Sequence, residues 1–187
     1  PGTHHIGVDH CTFFHCGDGS CDVSQEADYV TVSWCKFIYP TQLEHRFVMI
    51  ASGVSNAPTH VTVHHNWFGL RADQRMAASG DAFIHSYNNY YNCTNNSYCQ
   101  SSGTRGEINS ENNYYSGVDD ALGVSPGTDG KIRDVGNIYS GCTGNQGGYG
   151  DTVFTPAYGY LLDATVNVPA IVQAGAGAPG PEAMPIP

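Results

Sequence analysis

The chain repeats itself at a nearly constant interval. Six short segments show a strand-like alternation and close on an aromatic residue: HIGVDHCTF, YVTVSWCKF, HVTVHHNWF, FIHSYNNYY, EINSENNYY and IRDVGNIY. The closing aromatics follow one another at steps of 24, 31, 23, 24 and 24 residues, at Phe13, Phe37, Phe68, Tyr91, Tyr115 and Tyr139. A constant step of this size, with a short strand in each unit, is typical of a solenoid whose strands stack in parallel. The single longer step predicts an insertion of about seven residues in the coil between Cys35 and Asn66.

A second column lies two positions before the aromatic one. Its members are Cys11, Cys35, Asn66, Asn89, Asn113 and Asn137. Stacked strands lie about 4.8 Å apart, so a buried amide at this position can bond to the coils above and below it. We therefore predict an all-β fold, a right-handed parallel β-helix, with the aromatic column in its core. Unrelated strands of a β-sandwich are the alternative.

The repeat also predicts the organisation of the chain. We expect β-helix coils over residues 1–142, as a partial domain, and a C-terminal cap and trailing arm over 143–187, packed on the same domain. The first unit begins by residue 6 without a cap, which would leave strand edges unpaired. We therefore expect upstream coils, in the same chain or as a separate polypeptide.

The composition restricts the possible binding partners of the protein and its cellular location. The net charge is −10 with only seven lysines and arginines, which argues against nucleic acid as a partner. No apolar stretch is long enough for a membrane span. Seven cysteines without paired CxxC spacing favour disulfides, with one cysteine left over, and two sequons begin at Asn92 and Asn95. Together these features predict a secreted, extracellular protein. An acidic polysaccharide would need a divalent cation to bridge its carboxylates to those of the protein.

Two groups of charged residues are candidates for such a site. Asp18 and Asp22 flank a glycine in the run DGSCD, and two oxygen ligands on a tight bend suit Ca²⁺. An ordinary Asp-Gly surface turn is the alternative. Arg46 lies in the inserted coil, and Arg71 and Arg75 follow the strand HHNWF. Because loops after successive strands fall on one side of a solenoid, we expect these arginines to share a face with the two acids.

The ordered motifs resemble those of the pectate lyase family of polysaccharide lyases. They are VDHCTF at 8–13, DGSCD at 18–22, VTVSWCKF at 30–37, VTVHHNWF at 61–68, QRMA at 74–77 and HSYNNYY at 85–91. The resemblance implies a pectate lyase that cleaves polygalacturonate by calcium-dependent β-elimination. It implies calcium binding by Asp18 and Asp22, with a third acid upstream, substrate carboxylate binding by Arg46, and a general base at Arg75. We assign Arg71 to substrate binding from its place in the same cluster.

The chain departs from the family pattern at two positions near Arg75. The family proline is replaced by Ala77, and the second arginine of the motif by Gly80. One expected substrate contact is therefore missing. Two other functions stay open: a calcium-independent pectin lyase acting on methyl-esterified pectin, and a non-catalytic β-helix that binds cell walls.

Overall fold

The computed structural model describes residues 2–41, 45–54 and 58–179. In these ranges the strands are β1 (His4–Asp9), β2 (Thr12–Phe14), β3 (Asp28–Ser33), β4 (Lys36–Ile38), β5 (Phe47–Ser52), β6 (Thr59–His64), β7 (Trp67–Phe68), β8 (Gln74–Gly80), β9 (Ala82–Tyr87), β10 (Tyr90–Tyr91), β11 (Gln100–Ser102), β12 (Glu107–Glu111), β13 (Tyr114–Ser116), β14 (Leu122–Val124), β15 (Lys131–Val135) and β16 (Ile138–Ser140). A 3-10 turn, Thr165–Asn167, and one helix, α1 (Val168–Gly175), follow them.

The strands form three parallel sheets that run the length of the molecule. Sheet A stacks β1, β3, β6, β9, β12 and β15, and sheet B stacks β2, β4, β7, β10, β13 and β16. Sheet C stacks β5, β8, β11 and β14, and a parallel bridge from Val23 to Ala51 extends it to the first coil. Every pairing between these strands is parallel and joins neighbouring coils. The predicted parallel solenoid is confirmed, and the sandwich alternative is wrong.

The aromatic column fills the core as predicted. Its rings lie in register on sheet B, with neighbouring centroids 4.4–5.2 Å apart and nearly parallel planes. The four rings from Phe37 to Tyr115 are fully buried, whereas Phe13, in the first coil, is only partly buried. The core therefore runs continuously from coil to coil beneath sheet B.

The asparagine column lies beside the rings and bonds the coils to one another. The Asn89 amide oxygen accepts the backbone N–H of Asn66 at 2.9 Å, and its Nδ2 donates to the carbonyl of Val63 at 2.8 Å. Asn113 accepts the backbone N–H of Asn89 in the same way, at 2.9 Å. Each buried amide thus satisfies backbone groups at the bend, which would be costly to leave unpaired.

The bend from sheet A to sheet B is made by one residue in each coil. This residue precedes the asparagine column and has a positive φ of 48–69° in every coil: His10, Trp34, His65, Asn88, Asn112 and Gly136. A left-handed residue turns the chain sharply enough for the next strand to begin two positions later. The repeat of the sequence is therefore also a repeat of backbone conformation.

The segment after the last coil returns along the outside of the solenoid. The Phe154 ring stacks on Phe83 of sheet A at 5.2 Å, and the Tyr158 hydroxyl lies 2.6 Å from the Thr62 hydroxyl. Helix α1 then buries Val168 and Val172 against aromatic side chains of sheet B. These contacts tie residues 154–172 to the third, fourth and fifth coils. Within the described residues, no helix combines the length and apolarity needed to cross a membrane.

The structure does not show the expected disulfides. All seven are free thiols in the structure, and Cys35, Cys93 and Cys99 are buried. Cys35 takes the asparagine position in its coil, where a small apolar side chain packs without a cross-link. The predicted disulfides are thus not shown and stay a prediction, since the count of seven and the spacing do not distinguish a cross-link from a buried thiol in a solenoid core.

Candidate functional site

Sheet C brings the candidate residues together at the beginning of its strands. Asp18 and Asp22 precede the Val23 bridge in the first coil, Arg46 precedes β5 in the second, and Arg75 is the second residue of β8 in the third. Because these strands stack in parallel, their beginnings lie side by side. The expected clustering of acids and arginines on one side of the solenoid thus follows from the sheet.

The insertion predicted from the 31-residue step flanks β5. Eight residues separate β4 from β5 and six separate β5 from β6, whereas the corresponding connections around β8 have five residues and one. Residues 42–44 and 55–57 of these connections lie outside the described ranges. The added length therefore falls at both ends of the strand next to the candidate acids.

The two aspartates are exposed and held by backbone groups. Asp18 Oδ1 accepts the N–H of Gly19 at 2.9 Å, and Asp22 Oδ1 accepts the N–H of Ile50 in β5, also at 2.9 Å. A Cβ at Gly19 would collide with the Asp22 carboxylate, so the glycine permits this close approach.

These carboxylates suit Ca²⁺, which prefers hard oxygen ligands and takes six to eight of them. In the described ranges, no cluster of three or more His, Cys, Asp or Glu residues could hold a metal. Asp18 and Asp22 can therefore supply only part of a calcium shell. The other oxygens would come from substrate, water or residues beyond these coils.

Arg75 lies against an aromatic ring of the neighbouring coil. Its Cζ is 4.3 Å from the centroid of the Phe47 ring, a cation–π distance. Its guanidinium also lies near enough to the Tyr98 hydroxyl for its charge to act on that group. Burial raises the pKa of Tyr98, and the charge of Arg75 offsets part of that increase. Arg75 thus lies against Phe47 of the preceding coil and near Tyr98 of the following one.

Arg46 is engaged by the protein itself. Only 7% of the residue is exposed, its Nε donates to the carbonyl of Arg71 at 2.7 Å, and its Nη2 lies 3.8 Å from Asp73 Oδ1. Arg71 is exposed, and its Nη1 donates to the carbonyl of Pro40 at 2.9 Å. Arg46 and Arg71 line a cavity of about 270 Å³ together with Leu70, Asn92, Thr94 and Asn95. Arg46 and Arg71 thus lie together at this cavity, whereas Arg75 lies apart from it, against Phe47.

Strand β5 lies between Asp22 and Arg75. Asp22 bonds to Ile50 and Arg75 stacks on Phe47, three residues earlier on the same strand. Three residues of a strand span about 10 Å. Asp22 and Arg75 therefore contact points of one strand that are about 10 Å apart.

The two departures from the family motif have different surroundings. Ala77 is buried, with 1% of its surface exposed. Gly80 ends β8, and a Cβ placed there would meet nothing within 4 Å. The missing arginine thus leaves open space at the site.

Sequence reasoning missed three residues at this site: Phe47, Asp73 and Tyr98. Phe47 directly follows Arg46, and Tyr98 lies 23 residues after Arg75, one coil further along. The coil step was the signal that could have placed Tyr98 beside Arg75.

A family model described as pectate lyase matches residues 3–174. A pectate trisaccharide-lyase from Bacillus licheniformis is 31% identical over 180 residues, which cover 92% of this chain and 51% of that protein. A pectate trisaccharide-lyase from Thermotoga maritima is 36% identical over 95 residues, covering 48% of this chain and 24% of that protein. The chain thus spans about half of the first relative and about a quarter of the second.

Solved structures show the same fold. A pectate lyase from a Bacillus species in complex with trigalacturonate superimposes with a TM-score of 0.75 at 24% identity, covering 95% of this chain and 60% of that one. A pectate lyase bound to a hexasaccharide gives a TM-score of 0.72 at 25% identity, covering 92% of this chain and 51% of that one.

Proposed function

The chain belongs to the pectate lyase family, and on this premise we propose that the protein is a calcium-dependent pectate lyase. Its substrate would be (1→4)-α-D-galacturonan, the unesterified polygalacturonate of plant cell walls, cleaved by β-elimination. The observation that carries the proposal is that Asp22 and Arg75 both contact β5, from the coils on its two sides. Relatives named for pectate cleavage, and a neighbouring structure that holds trigalacturonate, support the substrate class.

β-Elimination from a uronate moves one proton and breaks one bond. The proton at C5 leaves, its electron pair forms the C4–C5 double bond, and the C4–O bond breaks with its electrons on the departing sugar oxygen. That oxygen takes a proton from solvent. The carboxylate on C5 opposes this step unless its charge is neutralised, because negative charge develops towards it in the transition state.

The candidate residues divide these tasks. Asp18 and Asp22 would hold calcium, which when bound to the substrate carboxylate supplies the neutralising charge. Arg75 occupies the position of the family's general base and, in its neutral guanidine form, would accept the C5 proton and become a guanidinium. Arg46 and Arg71 would contact a carboxylate of the polymer at their cavity, with Arg71 as the exposed member of the pair. Arg46, Arg71 and Arg75 are three of the chain's seven lysines and arginines. They lie together in a protein whose net charge of −10 would otherwise repel a polyanion.

We further propose that the protein is secreted and acts extracellularly, because a cell-wall polymer is accessible only outside the cell. Export would also suit a chain whose charge gives nucleic acid little to bind.

The test compares initial rates of unsaturated product formation by the full-length protein on unesterified and highly methylated polymer. Each reaction is run with added calcium and with chelator, for wild type, Asp22→Ala and Asp129→Ala. Asp129 is a matched control, since it is exposed and its Oδ1 accepts one backbone N–H, that of Arg105, from the neighbouring coil. Chelator and Asp22→Ala should each suppress cleavage of the unesterified polymer, whereas Asp129→Ala should not.

The alternatives give different results. Faster cleavage of methylated polymer, unaffected by chelator or by Asp22→Ala, would identify a pectin lyase and reduce the acid pair to a surface turn. Binding of polymer without product on either substrate would identify a non-catalytic wall-binding protein.

A further inference from the structure

We propose that Phe47 and Tyr98 are positioning residues that hold the Arg75 guanidinium in one orientation, an inference that rests on the proposed function of Arg75. They come from the coil before Arg75 and from the coil after it, so they bracket the side chain along the solenoid axis. The Phe47 ring lies 4.3 Å from Arg75 Cζ, and the Tyr98 hydroxyl lies near enough to the guanidinium for the charge of Arg75 to act on it.

Phe47 is itself fixed in place. It is the first residue of β5, pairs with Gln74 of β8, and its ring stacks with His45 at a centroid distance of 4.9 Å. A ring engaged by Arg75 and His45 is poorly placed to stack on a sugar. Its geometry therefore fits support of Arg75 better than direct contact with substrate.

Tyr98 is fixed by the loop that carries it. The backbone N–H and hydroxyl of Ser97 both donate to Asp73 Oδ1, at 2.8 and 2.9 Å. The Asn96 amide exchanges two hydrogen bonds with the backbone of Asp119, at 2.7 and 2.9 Å. The hydroxyl of Tyr98 is thus presented to Arg75 by a loop anchored to the coils on both sides of it.

Contacts on both sides of Arg75 matter because its backbone conformation is left-handed and its side chain is long. Its φ is 64°, a left-handed value within a strand, so its side chain does not follow the regular alternation of β8. A free arginine side chain loses rotamer entropy when it is held. A proton acceptor must also come within about 3–3.5 Å of the atom that it serves. Pre-ordered contacts on both sides reduce the cost of reaching that geometry.

Kinetics of the full-length protein on polygalacturonate provide the first test. Phe47→Leu should lower kcat about tenfold with KM changed less than about twofold, since only the orientation of Arg75 changes. Phe47→Trp, which keeps a ring face, should retain kcat within about threefold of wild type. Tyr98→Phe, which removes only the hydroxyl, should lower kcat about fivefold. Phe83→Leu is the matched control, because Phe83 is another half-buried strand residue, on sheet A, and should leave kcat unchanged.

A second measurement does not depend on activity. The Nε–Hε resonance of Arg75, assigned by its loss in Arg75→Lys, should carry a ring-current shift that disappears in Phe47→Leu and persists in Phe83→Leu. If wild type forms no unsaturated product, the proposed function fails, and the resonance alone decides whether Phe47 holds Arg75. If wild type is active but Phe47→Leu and Tyr98→Phe keep kcat within twofold, or if the resonance does not move, the positioning role is overturned.

Discussion

Restoring an arginine at position 80 should strengthen substrate binding. Gly80 ends β8 opposite Ser52 of β5, two residues beyond Ile50, the residue whose N–H bonds to Asp22. Two strand residues span about 7 Å, so an arginine here would extend beside the acid pair on the side away from Arg75. A side chain can begin at this position without displacing a neighbour, because a Cβ meets nothing within 4 Å.

The expected effect of Gly80→Arg has two parts: one on the free energy of unfolding, from the backbone, and one on KM, from the new charge. Glycine within a strand costs about 0.5–1 kcal/mol relative to alanine, so Gly80→Arg and Gly80→Ala should both raise the free energy of unfolding by roughly that amount. A hydrogen bond between charged partners contributes about 1.5–3 kcal/mol, which only Gly80→Arg can add to carboxylate binding. This corresponds to a KM for polygalacturonate lower by roughly tenfold to a hundredfold.

The assay measures KM and kcat on unesterified and methylated polymer, and urea unfolding, for wild type, Gly80→Ala and Gly80→Arg. The gain in KM should vanish on methylated polymer, where no carboxylate is available for the new arginine. The reasoning is refuted if Gly80→Arg binds unesterified polymer no better than Gly80→Ala does.

Three further outcomes are expected. Arg75→Ala should abolish product formation, and retention of more than about a tenth of kcat would be too much for loss of a general base; Arg71→Ala should have the smaller effect. Asn89→Leu should lower the free energy of unfolding in urea by about 2–6 kcal/mol, because it leaves a buried backbone N–H and a buried C=O unpaired; a loss below about 1 kcal/mol would contradict the column's role. Burial lowers the pKa of His64 to about 4, so its neutral form stabilises the fold fully above pH 6.5 and that stability is lost as pH falls towards 4. His64→Phe should therefore flatten the dependence of the urea midpoint on pH in this window, and an unchanged slope would count against it.

The fold was largely predictable from the sequence because a solenoid has one local rule that each coil repeats. The step of the aromatic residues gives the coil length, and the buried amides two positions earlier give the contacts between coils. The left-handed bend was not predictable, since five of its six positions hold residues other than glycine, including Trp34 and His65. Propensity disfavours these residues there, and the tertiary structure overrides it.

The members of the site stay a prediction from the sequence, and their contacts could not be predicted from it. The coil step placed Asp22 and Arg75 on one side of the solenoid, and the structure shows that β5 lies between them. The coil step could not predict that Arg46 is mostly buried and bonded to the backbone of Arg71, because this depends on the path of an inserted connection. The repeat predicts contacts in the regular coils but not those of inserted residues.

The coil step also accounts for how the site is held together. The hydrogen bonds that fix it join residues about one coil apart: Asp22 to Ile50, Arg46 to Arg71, and Asp73 to Ser97. Asp22 and Arg46 are therefore positioned by the next coil rather than by their own. Because side chains of a strand alternate between faces, a shift of one residue in the connection before β5 would turn Phe47 away from Arg75. The length of that connection is thus a constraint on the site, apart from the substrate contact proposed for Arg46 within it.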